Sequence, residues 1–191
     1  MLELVNSGEI EPEGFYQNEA GAIEFVIKRV AREGELTEDS IEDVHEITTQ
    51  DLEGRVRGVY RNTPVYIRGS DTVPPSAVTA RECMADLVYA YNGSLLHPIW
   101  KATAFHVLFE NIHPFMDGNG RTGRNLLNFM LIKSGYPPIS PRNDRQHHYL
   151  DALRQWQVRD NPEPFFRQII DLVNEEITTR TEIIVEGKAG Y

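Results

Sequence analysis

The stretch HPFMDGNGRTGR, His113 to Arg124, continued by NLLNFMLI over 125–132, decides how this chain is read. Asn125 to Ile132 is apolar nearly all round, the pattern of a helix at the centre of a bundle. Phe105 to Ile112 in front of it also has helical period, so two helices flank a short loop. Gly118, Asn119 and Gly120 then stand at a helix N-terminus, where unpaired N–H groups and the positive dipole end favour an anion such as phosphate. Arg121 and Arg124 lie three apart on the first turn of the buried helix, which begins near Arg121, and both guanidinium forks can reach phosphate oxygens. Asp117, just ahead of the loop, suits a Mg²⁺ that takes one carboxylate and otherwise waters and substrate phosphates. His113 supplies a base that titrates near neutrality. Base, metal carboxylate, amide cradle and arginine clamp are the parts of phosphoryl or nucleotidyl transfer.

Working outward, the rest of the chain is dominated by helical period, which places it in the all-α class. Ile23, Val26, Ile27 and Val30 form one amphipathic stripe, and Ile41, Val44, His45 and Thr48 another behind a Thr37 cap. Ser76 caps a helix bearing Ala80, Met84, Leu87, Val88 and Tyr91, which ends at an Asn92-Gly93 turn before the next helix runs from Pro98 to Ile112. Two further helices are expected near Tyr149 to Val158 and Pro164 to Thr178, within about 145–185. Between Asn62 and Pro75 the pattern changes: Val65 and Ile67 alternate with polar neighbours, and Gly69 and Pro74-Pro75 punctuate the run. A short strand or β-hairpin flap is expected there. The Pro-rich points at 74–75, 137–141 and 162–164 are short enough to be interhelical loops, so residues 1–191 read as a single domain whose motif loop and anion-binding helix span 113–135.

Composition removes several function classes. Nineteen basic against 29 acidic residues leave a formal charge of -10, unsuited to neutralising a nucleic-acid backbone. With 40% hydrophobic and 25% charged residues the chain is of ordinary globular composition, long enough to bury a core without disulfides or a structural metal. No apolar run approaches a membrane span. Cys83 has no internal partner and the first residues lack the pattern of a secretory signal, which together suggest a cytoplasmic protein. Cys83 itself reads as inert packing beside Met84 and Leu87.

Other readings of the same residues fit less well. Gly118, Gly120 and Gly123 spell G-x-G-x-x-G with Asp144 downstream, but a dinucleotide fingerprint needs a preceding strand and a βαβ unit, and this one follows a helix. A Walker A loop is excluded because no Gly-Lys-Ser/Thr follows. His45, His97 and His106 with His113 and Asp117 could be imagined as ligands of a helical metal-dependent phosphohydrolase, yet neither an adjacent His-Asp pair nor H-E-x-x-H is present. Lone histidines on apolar helix faces are expected to be packed or capping.

The twelve residues from His113 to Arg124 match the Fic signature HPFx[DE]GNGRxxR without a departure, and the chain resembles that family. The flanks HPIWKATAFHVLFEN, NLLNFMLIKSGYPPI and YRNTPVYIRGSDTVPPSAV extend the resemblance to roughly residues 17–180. It implies a compact helical fold with a β-hairpin flap, and an enzyme that moves AMP from ATP to a Ser, Thr or Tyr hydroxyl of a target protein, releasing pyrophosphate. Carried over residue by residue, His113 is the general base, Asp117 holds Mg²⁺ between the α- and β-phosphates, and Asn119 with the Gly118 and Gly120 amides forms the anion hole. Arg121 assists there, Arg124 grips the γ-phosphate and Tyr149 lies near the adenine. Phe115 is expected to plug the loop into the core, with Pro114 limiting its backbone freedom. The flap residues Val65, Tyr66, Ile67, Arg68 and Gly69 resemble the edge on which a target segment docks by main-chain pairing. Relatives that transfer phosphate carry Lys where this chain has Gly120.

The resemblance leaves alternatives: a deAMPylase that relies on an extra glutamate near Arg124, or an antitoxin-like module that binds nucleotide without turnover. An inhibitory partner chain and a homo-oligomer are the further partners it raises, beside ATP and an unknown target. Many relatives carry an inhibitory helix of pattern [ST]xxxE[GN]. Thr49 to Gly54 matches it literally but leads straight into the flap, while Glu186-Gly187 and Thr178 to Glu182 are near misses. Glu53 is therefore read as a surface or flap-supporting carboxylate, and no complete inhibitory helix is expected within these residues.

Overall fold

In the computed structural model of the chain, residues 34–52, 57–67, 72–140 and 146–188 are described. The helix expected around 23–30 lies outside them, as do Glu53, Arg68 and Gly69.

Helix α1, Glu38–Thr48, starts where expected. The Thr37 side chain accepts the Ser40 N–H, and Glu38 and Asp39 meet the positive end of the dipole. Its buried face is Ile41, Val44, His45 and Thr48, the stripe seen in the sequence. Helix α2, Ala77–Gly93, is capped by Ser76, which accepts from Thr79 N–H. It runs through Asn92 and Gly93 instead of turning there, because Asn92 has a different task. Its side chain accepts the Leu36 N–H at 3.1 Å and donates to the Leu36 carbonyl at 2.7 Å, tying α2 to the chain ahead of α1. Helix α3, Pro98–Ile112, opens with Pro at its first turn and His97 as cap. Helix α4 spans Asn119–Lys133, α5 Gln146–Arg159 and α6 Glu163–Lys188.

Helix α3 is the hub, packing on α4, α2, α5 and α6, while α4 lies between α3 and α1. The core is aromatic and aliphatic, with Phe105, Phe109, Phe115, Phe165, Leu126 and Met130 fully buried. Each contributes about 1.5 to 3 kcal/mol of transfer free energy, which holds α4 and its N-terminal loop in fixed register on α3. Helix α6 continues beyond the expected end near Thr178. Its apolar stripe fades there because Ile183, Ile184 and Val185 are exposed, and an i,i+4 pair from Arg180 to Glu176 supports the helix instead.

Among the described residues there is no β-strand. The two stems of the flap, 62–67 and 72–76, are irregular extended chain. Pro64, Pro74 and Pro75 have no N–H to give a ladder. The carbonyls of Thr63 and Pro75 are taken instead by the Arg61 guanidinium, at 3.0 and 2.6 Å.

Candidate active site

Helix α3 ends at His113 because that residue takes the left-handed conformation, φ 51 and ψ 60, and Pro114 follows. Its N–H still donates to the Phe109 carbonyl at 2.9 Å. Nδ1 lies 3.3 Å from the Glu110 carbonyl. A carbonyl only accepts, so Nδ1 carries the hydrogen and Nε2 keeps its lone pair. Burial holds the His113 pKa below its ordinary value and the Arg61 charge adds to this, while the Glu110 carbonyl and Asp117 pull partly the other way. The ring is thus neutral near pH 7, as a base must be.

The loop after it is pinned from two sides. Phe115 is fully buried and its ring lies face to face with His45 of α1, centroids 3.7 Å apart and planes within 5°. It also packs against Tyr60 and Phe109. Both ring nitrogens of His45 are used: Nε2 donates to the Asp117 carbonyl at 3.0 Å and Nδ1 accepts the Gly58 N–H at 2.9 Å. Burial lowers the His45 pKa to about 4, so it holds the single hydrogen that these two bonds require. Asn119 completes the clamp, its side chain accepting the Phe115 N–H and donating to the Phe115 carbonyl, each at 2.9 Å.

These bonds revise the expected anion hole. The buried Asn119 side chain is spent on Phe115, which leaves its backbone N–H as the group it can offer a ligand. The Gly118 N–H donates to Asp117 Oδ1 at 2.7 Å and is engaged as well. Gly118 sits at φ 75, and a Cβ there would strike Thr49 Cγ2, so glycine is required on both counts. No side chain caps α4. Its first-turn N–H groups, beginning with Asn119 and Gly120, lack intrahelical acceptors and are the donors the loop can offer an anion.

The two arginines differ. Arg121 Nη1 contacts Asp51 Oδ1 at 2.7 Å and the Thr48 carbonyl at 3.4 Å, on the side facing the end of α1. A pair as exposed as Asp51 contributes under about 1 kcal/mol, weak enough to be exchanged for a phosphate. Arg124 has no hydrogen-bond or ion-pair partner among the described residues. Its Nη1 lies 3.4 Å from where a Gly120 Cβ would be, so the guanidinium folds back over the first turn of α4. Gly120 leaves room for it.

Beneath α4 lies a buried polar chain that the sequence reading missed. The Tyr149 hydroxyl is 2.6 Å from His106 Nε2, and the Tyr149 ring meets Phe165 edge-on. With its hydroxyl bonded to His106 and only 4% of its surface exposed, Tyr149 is a core residue. Glu110 Oε1 and His106 Nδ1 sit against Gly123, where a Cβ would come within 2.5 and 3.1 Å of them, and Glu110 Oε1 has no hydrogen-bond partner among the described residues. Burial pushes the Glu110 carboxyl up to about 7, opposed by Arg124, and lowers His106 to about 4. His97 caps α3 and approaches Tyr136 at 3.2 Å, so all three lone histidines are packing or capping residues as expected.

No cluster of three or more metal-binding side chains occurs among the described residues, and nothing favours the phosphohydrolase reading. The dinucleotide reading fails on α3, a helix where a strand is needed. One carboxylate, Asp117, beside a phosphate cradle does suit Mg²⁺, a hard cation that keeps waters and phosphate oxygens as its other ligands. Within the flap, Tyr66 is 89% exposed and Val65 and Ile67 are half-buried. Arg61, His45 and Glu110 act on the site without any local motif to reveal them. Arg61 looks no different in sequence from Arg55 or Arg57.

Fold and site together define a helical protein that places a histidine, a helix N-terminus without a side-chain cap and an arginine that has no ion-pair partner among the described residues within one motif. The chain belongs to the Fic/DOC family, whose sequence model matches residues 35–131. A protein adenylyltransferase Fic of Nematostella vectensis is 34% identical over 150 residues, 76% of this chain and 34% of the relative. The chain thus spans about a third of the length of that relative. Among solved structures, Fic-1 (residues 134–508) of C. elegans superposes with a TM-score of 0.82 at 24% identity, covering 97% of this chain and 58% of that one. A Fic domain containing signaling protein of Bacteroides thetaiotaomicron gives a TM-score of 0.69 at 28% identity over 85% and 66%. The all-α Fic architecture is that of this chain.

Proposed function

We propose that this chain is a protein adenylyltransferase, transferring AMP from ATP to a side-chain hydroxyl of a target protein. The observation that carries the reading is the His113 side chain: Nδ1 lies 3.3 Å from the Glu110 carbonyl, which leaves Nε2 for the base, in the loop that leads into the start of α4. Nε2 takes the hydroxyl proton, the oxygen forms a bond to the α-phosphorus, and the α–β bridging bond breaks to release pyrophosphate. The α4 N–H groups and dipole stabilise the charge gathering on the phosphate oxygens, and Arg124 grips the γ-phosphate. Asp117 would hold Mg²⁺, which when bound neutralises phosphate charge. Val65 to Gly69 would seat the target segment over His113. The curated relative's name supports the same activity. Incubation with Mg²⁺ and ATP labelled at either the α- or the γ-phosphate tests it. Protein-bound label from α-labelled ATP only is expected; label from γ-labelled ATP would mean phosphate transfer, and none from either would refute the proposal.

A further inference from the structure

Arg61 has the largest side chain among the fully buried described residues, with 2% of its surface exposed, and none of its hydrogen-bond partners among the described residues is a carboxylate. Burying a guanidinium without a counter-charge is costly unless every donor is met, so its retention calls for a reason. Every hydrogen bond its side chain makes to a described residue goes to a backbone carbonyl. Nε donates to His113 at 2.8 Å, Nη1 to Thr63 at 3.0 Å, and Nη2 to Pro75 at 2.6 Å and Ile112 at 3.4 Å. Its own N–H adds a bond to the Pro114 carbonyl at 2.8 Å. Two acceptors belong to the C-terminal end of α3, where the dipole is negative and favours a cation. The other two are the opposite stems of the flap, which carry no described ladder of their own.

We propose that Arg61 is a positioning residue that locks the left-handed His113 peptide to both stems of the flap, at Thr63 and Pro75, so that the base and these stems form one rigid unit. The proposal rests on the transferase reading for its purpose but not for its geometry. His113 is held in a conformation that non-glycine residues adopt only when their surroundings over-determine it. A fork with five fixed donors can span three chain segments at once. A lysine at 61 keeps the charge but offers a single point donor, which cannot.

Native-state hydrogen exchange on the full 191-residue chain tests this. In the parent, the amides of Arg61 and His113 should open as one unit, with protection factors within about threefold of each other and equal denaturant dependence. Arg61→Lys should lower both by about tenfold or more, leave protection in α5 and α6 unchanged, and leave the calorimetric ATP affinity within about twofold. Self-labelling from α-labelled ATP should fall about tenfold or more. Parent amides that differ by more than about tenfold, or an Arg61→Lys effect at one site only, would overturn the proposal, and the parent measurement decides it even if the variant fails to fold. Absence of labelling in the parent would sink the transferase reading while the exchange data still judge Arg61.

Discussion

Replacing Glu110 by glutamine should change stability by an amount that depends on pH. The carboxyl is buried under Gly123 with Oε1 unpartnered, and burial raises its pKa from 4.5 to about 7, Arg124 acting the other way. Between those values the folded protein keeps a proton that the unfolded chain releases. This contribution is therefore fully present below pH 4.5 and is lost as pH rises through 7. At about 1.4 kcal/mol per tenfold, the full effect is about 3 kcal/mol, of which about 2 falls between pH 5 and pH 8. Glutamine cannot titrate, so it escapes the loss. His45 and His106 work in the opposite sense: both are held at about 4, so stability gained from them is present above their ordinary value and lost as pH falls towards 4. They are common to both proteins and cancel in the difference. Urea unfolding of parent and Glu110→Gln at the two pH values measures it. The variant should gain about 2 kcal/mol relative to the parent on going from pH 5 to pH 8, and a gap constant within about 0.5 kcal/mol would refute the reasoning.

Three further outcomes follow from the same geometry. His113→Ala should lower transfer by about 10²- to 10⁴-fold with ATP affinity nearly unchanged, because a base helps only in the transition state; retention of most of the labelling rate would remove His113 from the mechanism. Arg124→Ala should weaken ATP more than ADP by about 1.5 to 3 kcal/mol in calorimetry, and equal losses would move Arg124 away from the γ-phosphate. Gly123→Ala should destabilise the fold by about 1 kcal/mol, since overpacking against Glu110, His106 and Phe109 outweighs the roughly 1 kcal/mol of helix propensity gained. Gly120→Ala, whose nearest neighbour is the movable Arg124 Nη1, should not be destabilised, and equal unfolding midpoints for the two variants would contradict this.

Much of the helical frame was legible because it rests on local chemistry. Thr37 and Ser76 cap the helices they were expected to cap, and Pro98 and the His113-Pro114 pair bound α3. The apolar stripe of α1 is the one its spacing describes. Errors arose where a side chain's partner lies far away in the chain. Asn92-Gly93 has turn composition, yet Asn92 answers to Leu36, 56 positions earlier, and stays helical. The resemblance sets Tyr149 near the adenine, and only the structure shows that His106 and Phe165 enclose it. Asn119 falls in the motif as expected, but only the packed loop shows its amide turned inward to Phe115.

From sequence alone came the helical class and the twelve-residue Fic signature with its candidate base, metal carboxylate and clamp arginine, because these depend on residue type and short spacing along one chain segment. The tertiary structure alone showed that His113 Nδ1 meets the Glu110 carbonyl, that the Gly118 N–H is taken by Asp117, and that Arg121 is engaged while Arg124 has no hydrogen-bond or ion-pair partner among the described residues. It alone revealed Arg61, His45 and Glu110 as the residues that support the site. Their roles are set by which carbonyls, rings and backbone atoms surround them. Those neighbours come from distant segments brought together by burial of the core, and no local pattern in the chain encodes that meeting.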